Sequence, residues 1–339
     1  MTEKTIPITT TPTIDTEDDR RVRRREITGA SVLFVLACIL ILRLTLGTVP
    51  RAPSDLLAVS LFVVFLALSY LGLSVQAFRA GLRGVIRSPA ASVLVAPGVL
   101  LFGALVYAWA QSLPLGPRAG PYAAYLFVPA ALLLFGRHAG QPSPLQILAA
   151  AAVLWLPIEF HLLPPLPLPS PDGYDAVRLL GIVGALYLFL VARPVGGIGY
   201  TFLLDRRDCR FACTALGVYA IVALPIGLIS RFLIWHPRVN AAGVLLTPVT
   251  IYLVTAVPEE FLFRGLIQNL FTRMLGPRAA LTMASVVFGL AHLPDPRYVV
   301  LATFAGVAYG WVYARTGKIT ASAVTHAAVD WIWLLLLRR

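Results

Sequence analysis

Apolar stretches of membrane-spanning length recur along this chain from Ile27 to the C-terminus, broken only by short segments that carry Pro, Gly or Arg. A bilayer core needs about 20 apolar residues per helix, and in lipid the backbone must satisfy its own hydrogen bonds. The pattern predicts an all-α, polytopic integral membrane bundle of about 10–11 transmembrane helices. They fall roughly at 28–48, 55–78, 91–112, 121–136, 145–163, 176–192, 211–235, 244–272, 279–293, 298–314 and 318–337. The fourth and ninth are short. Residues 163–173 are rich in Pro and read as a stiff external loop.

Composition agrees with this reading. Hydrophobic residues make up 58% and charged residues 13% of the 339, and the mean hydropathy is +0.80. A formal net charge of +12 suggests a nucleic-acid partner until its placement is considered. Arg20, Arg21 and Arg23–Arg25 precede the first helix, and Arg79, Arg83 and Arg87 follow the second. Arg193, Arg206, Arg207 and Arg210 lie between the sixth and seventh; Arg273 and Arg278 follow the eighth. These are alternate loops, so the charge reports orientation, with the N-terminus cytoplasmic and no nucleic acid involved. Arg338 and Arg339 fall outside if there are eleven spans, which is a mild conflict.

Three zones follow. Residues 1–26 form a polar cytoplasmic tail that reads as disordered. Residues 27–205 hold N-terminal transmembrane helices with few ionisable groups and no assigned role. From 206 to 339, polar residues enter the apolar segments in an ordered way. The chain is expected in a bacterial inner (plasma) membrane. Cys209 and Cys213 stand beside a predicted cytoplasmic loop with no further Cys or His nearby, which argues against both a disulfide and a metal pair.

Within the last zone, Glu259 and Glu260 stand side by side in an apolar segment, with Arg264 one helical turn on. Each charge at a helix centre costs about 2.5–3.5 kcal/mol on insertion scales, so three together require a reason. Glu260 and Arg264 share a face and can pair, while Glu259 is rotated roughly 100° away. Pro258 loosens the backbone beside them. The ninth helix carries Phe288-Gly-Leu-Ala-His292, and the last carries His326-Ala-Ala-Val-Asp330. At about 1.5 Å per residue, Glu259 and His292 lie roughly 20 Å along their helices, and His326 and Asp330 roughly 12 and 18 Å along theirs. Groups from three helices thus reach a similar depth.

A carboxylate and a histidine at such a level can activate a trapped water. A second histidine with its neighbour can stabilise an oxyanion. Together they fit hydrolysis of an acyl or amide bond, whereas a structural ion pair accounts for Glu260 and Arg264 alone. Glu159 and His161 at the end of the fifth helix read as interfacial beside Trp155, or as lining a substrate or water path.

Glu-Glu-x-x-x-Arg, then Phe-x-x-x-His, then His-x-x-x-Asp, in order on successive helices, resembles the CPBP (Abi) intramembrane protease family, which includes the type II CAAX prenyl endopeptidases. Gly306-Val-Ala-Tyr-Gly310 and Arg315-Thr-Gly317 add to the likeness, which covers about 211–337. The resemblance implies Glu259 and His292 as the pair that activates water. It places His326 and Asp330 at the oxyanion-stabilising positions, with Glu260 and Arg264 in support. Prenyl endopeptidases carry Asn where this chain has Asp330. An ionised carboxylate only accepts hydrogen bonds, so Asp330 is either protonated or orients His326, and prenyl-protein specificity is weakened.

The family has been described as metalloprotease, and Glu259, His292 and His326 are the residues that would hold a zinc ion. A glutamate-and-water mechanism needs none, and no His-Glu-x-x-His helix is present. The expected partners are the lipid bilayer and a membrane-associated protein or peptide substrate. The alternatives are a non-catalytic immunity or scaffold protein of the same fold and a proton-coupled transporter. The clustering of polar groups in one third of the chain speaks against the transporter.

Overall fold

The computed structural model describes residues 17–46, 53–134, 142–168 and 175–338, and they form an all-α bundle of the polytopic membrane type. Helix α1 (Glu17–Leu46) begins eleven residues earlier than the sequence pattern suggests, so 17–26 of the expected tail are helical. Residues 1–16 lie outside the described residues.

The expected helix 55–78 is two helices. α2 (Pro53–Gly72) and α3 (Gln76–Val85) meet at 104°. Ser74 Oγ donates to Leu71 O, and Arg79 reaches back to Leu73 O, so side chains serve the carbonyls freed at the bend. α3 carries Arg79 and Arg83 and buries none of its residues fully, as befits a surface helix. There follow α4 (Pro89–Ala110), α5 (Gly116–Leu134), α6 (Pro144–Glu159) and α7 (Ala176–Tyr187), the last extended by a π turn at Leu188–Ala192.

α8 (Arg206–Ile229) opens on a capping box, in which Asp205 accepts from the Arg207 and Asp208 amides and Asp208 reaches back. α9 (Ala241–Leu245) is one short turn. α10 runs over 247–275 as one helix with right-handed backbone at every junction, but its winding changes along its length. π turns at Ile251–Ala256 and Phe261–Gln268 flank a short α segment, Val257–Glu260. Pro258 has no N–H to give the carbonyl four residues back, and the wider winding accommodates that gap. α11 (Pro277–Leu290), α12 (Pro296–Thr316) and α13 (Ile319–Leu336) complete the bundle. A two-stranded antiparallel pair, β1 (Ile234–Trp235) with β2 (Leu337–Arg338), ties the end of α13 to the segment after α8.

By length and composition, three helices among the described residues can each cross a bilayer: Pro89–Ala110, Arg206–Ile229 and Ile319–Leu336. The bent pair at Leu57–Gly72 and Gln76–Val85 raises this to four if counted as one span. The apolar helices at Pro144–Glu159, Ala176–Ala192 and Pro277–Leu290 are shorter than these, whereas α10 stays continuous through its π turns over 247–275. The protein is integral to the membrane.

Contacts between loops sort the helix ends into two groups. At one end Arg79 donates to Tyr200 O, Asn269 and Arg273 to Gly196 O, and Lys318 to Leu203 O and Asp208. At the other, Tyr107 donates to Pro167 O, Arg118 to Pro165 O, Arg297 to Ser230 O and the His236 amide to Leu336 O. The segments carrying the predicted cytoplasmic arginines share the first end. Arg338 lies at the second, so the conflict noted for the C-terminal arginines persists. The largest buried cluster runs from Val59 and Leu66 in α2 through α4–α7 to Ala256, Val257 and Phe261 in α10 and Ala323 in α13. A second cluster of Phe263, Ala284, Phe288, Ala305 and Tyr309 fills the space between α10, α11 and α12.

Candidate active site

The central group is Glu260, whose side chain is fully buried. It sits on the face of α10 turned toward α12 and α13, one turn before Arg264, as the i, i+4 spacing predicts. Arg264 Nε lies 3.2 Å from Glu260 Oε2, and both side chains are 0% exposed. Ser322 Oγ lies 2.5 Å from the same oxygen, and His326 Nδ1 lies 2.9 Å from Glu260 Oε1. A buried charge of this kind persists only when paired and hydrogen-bonded, and here three partners from two helices do so.

Arg264 is held on its other side by the fold. Its Nη2 donates to Gly306 O at 3.0 Å, and its guanidinium lies 4.7 Å from the centre of the Phe288 ring and 5.4 Å from that of Tyr309. Nη1 has no hydrogen-bond partner among the described residues. The aromatic faces supply attraction there instead. Gly306 makes this approach possible. A Cβ at that position would stand 2.9 Å from Ser285 Cα on α11, so glycine sets the spacing of α11 and α12 and leaves a carbonyl open to Arg264.

His326 is clamped between carboxylates. Its ring stacks on Tyr309, with centroids 4.6 Å apart and planes 14° from parallel. With Nδ1 on Glu260, its Nε2 faces Glu259 Oε2 at 3.7 Å and Asp330 Oδ2 at 3.5 Å. Nδ1–H donates to Glu260 and fixes the ring orientation, and the carboxylates facing Nε2 are the surroundings of an imidazolium that carries a proton on each nitrogen. Asp330 stands one turn beyond His326 on α13, with its carboxylate toward the same Nε2.

Glu259 points away from the buried pair. Its side chain is 37% exposed and lines a cavity of about 240 Å³ with His292, Tyr298, Trp155 and Glu159. His292 closes α11, and its Nδ1 donates to Phe288 O at 2.8 Å, which leaves Nε2 with a lone pair in the neutral ring. Tyr298 packs edge-on against this ring with centroids 4.4 Å apart. Phe288 is a shared wall: its centroid is 4.9 Å from His292, 5.7 Å from His326 and 4.9 Å from Phe263. Just beyond, Asp295 caps α12 by accepting from the Arg297 amide, and the hydrogen-bonded Arg297 side chain holds its carboxyl down to about 2.

The structure therefore brings Glu259, Glu260, Arg264, His326 and Asp330 into one contact network. His292 joins it across the cavity that it shares with Glu259. Glu159 lines that cavity too, from the exposed end of α6. His161 ends α6 in a left-handed turn, with φ of 52°. Sequence reasoning did not single out Ser322, Tyr309 or Tyr298. Ser322, His326 and Asp330 form one line at i, i+4, i+8 on α13, a pattern visible in the sequence once His326 is fixed.

The donors do not fit a metal centre. Among the described residues, no three His, Cys, Asp or Glu side chains are placed to hold an ion together. Both nitrogens of His326 already face carboxylates, and Cys209 and Cys213 are exposed and free.

Neither a curated protein nor a solved structure matches the chain. The family model described as type II CAAX prenyl endopeptidase Rce1-like matches residues 241–332, a stretch that contains all of the residues in the network and His292. Residues 241–332 are thus similar to an Rce1-like domain, and they lie inside the stretch that carries the resemblance to the CPBP family.

Proposed function

We propose that this chain is an intramembrane endopeptidase in which Glu259 activates a water molecule held between itself and His292. The observation that carries this reading is the division of labour between adjacent glutamates. Glu260 is consumed by a buried network, whereas Glu259 faces a cavity large enough for water and a peptide group.

In the proposed step, Glu259 takes a proton from the water as its oxygen attacks the scissile carbonyl carbon, and His292 Nε2 orients that water. The carbonyl π electrons move onto oxygen. As Glu259 becomes neutral it releases its hold on the His326 Nε2–H, which then donates to the new oxyanion. Collapse of the tetrahedral intermediate breaks the C–N bond, and Glu259 returns its proton to the leaving amine. Asp330 keeps the His326 ring in register, and Arg264 holds Glu260 as the fixed acceptor at Nδ1. Water activation by this route uses no metal ion.

The test is hydrolysis of a membrane peptide library by the purified full chain in lipid nanodiscs. Glu259→Gln should lower turnover by about 10²–10⁴-fold, the usual contribution of a general base. A metal chelator should leave the rate unchanged. In H₂¹⁸O, each new carboxyl terminus should gain one label. Full activity of Glu259→Gln would move the assignment to a binding or carrier role, and loss of activity on chelation would require a metal.

A further inference from the structure

Four arginines of α1 face Leu203, in the segment that leads into α8, across an open groove of about 760 Å³. Its lining is Arg20, Arg21, Arg24, Arg25, Thr28 and Leu203, with no carboxylate among them. The arginines form two i, i+4 pairs, Arg20 with Arg24 and Arg21 with Arg25. Like charges at that spacing destabilise a helix. The acids beside the groove serve other partners. Glu26, next to Arg25 in the chain, accepts from the Gln76 amide at 3.0 Å, an orphan donor in the first turn of α3. Asp205 accepts from the Arg207 and Asp208 amides, and Asp208 lies 2.6 Å from Lys318 Nζ. An anion seated among the guanidiniums offsets their repulsion, and their planar forks match the oxygens of a phosphate.

Position selects the source of that phosphate. Apolar sequence begins at Ile27, two residues past Arg25, which sets the groove at the level of lipid headgroups. Helix α3, joined to α1 through Glu26, leaves α2 at 104° and carries Arg79 and Arg83 with Phe78 exposed. That is the pattern of a helix lying in the membrane interface. A basic cluster immediately outside an apolar helix attracts anionic lipid. We infer that the groove between α1 and the Leu203 segment is a binding site for the phosphate headgroup of an anionic phospholipid. A lipid seated there bridges α1 to the segment entering α8. The inference is independent of the endopeptidase reading, since the groove lies outside 241–332 and shares no residue with the reacting cavity.

The purified full chain in detergent would be titrated with phosphatidylglycerol or phosphatidylcholine of identical chains, and bound lipid counted by native mass spectrometry. The wild type should hold phosphatidylglycerol about tenfold or more tighter than phosphatidylcholine. Each arginine near an anionic surface contributes about fivefold, so Arg24→Gln/Arg25→Gln should weaken phosphatidylglycerol by about tenfold or more and leave phosphatidylcholine as it was. Arg87→Gln/Arg278→Gln removes the same charge from exposed positions outside the groove, and it should leave both affinities unchanged. Equal losses in the two double variants would overturn the site, as would a wild type that does not distinguish the two lipids. Inorganic phosphate titrated alone should not bind at the concentrations that saturate the lipid. Phosphate that binds as tightly as the lipid, and is lost with Arg24→Gln/Arg25→Gln, would overturn the lipid assignment in favour of the free ion.

Discussion

At the residue scale, two neighbouring glutamates differ because helix geometry sends them to different surroundings. A rotation of about 100° per residue turns Glu260 into the packed interior and Glu259 toward open space. The buried pair is costly to break. Arg264→Ala leaves Glu260 without its guanidinium partner in a fully buried site, and the expected loss of stability is about 3–5 kcal/mol. Thermal unfolding in detergent, together with folded yield, measures it; an unchanged melting temperature would mean that His326 and Ser322 suffice. The pairing of Glu260 with Arg264 was legible from spacing alone, because i, i+4 neighbours on a helix have few other places to go. The clamp on His326 was not legible. It depends on how α10, α12 and α13 are rotated against one another, and no pattern within one helix encodes that.

At the scale of elements, α10 to α13 place the site through close helix approach and altered winding. Gly306 is where this is most exposed to a test. Gly306→Ala adds a methyl that meets the α11 backbone, so either the helices separate or the site distorts. The expected cost is about 1–3 kcal/mol, typical of overpacking, and the Gly306 carbonyl should shift away from Arg264. Hydrogen exchange along α11 and α12 reads the loosening, and protection equal to wild type would contradict the packing argument. Hydropathy located most helices within a few residues. It missed the break between α2 and α3, since Leu73 and Val75 continue the apolar run while the backbone turns. It also could not show the π turns around Pro258, because winding leaves no mark on an apolar pattern.

At the scale of the molecule, the loops gather at two ends, and the arginine-bearing segments share one of them. The positive-inside rule assigns that end to the cytoplasm. Cys209 stands there, exposed, and reports the orientation. A membrane-impermeant maleimide should leave Cys209 unlabelled in intact cells and label it in inverted vesicles, and the opposite result would invert the topology. The reacting cavity, bounded by Glu159 at the end of α6 and His292 at the end of α11, would then open toward the outer face.

The most direct test of the account compares membrane-peptide profiles, by mass spectrometry, from source cells carrying either wild-type protein or Glu259→Gln at equal, correctly inserted levels. The account predicts cleavage products that appear only with the wild type, with uncut precursors enriched beside the variant. Identical profiles would contradict it and leave Glu259 as part of the scaffold.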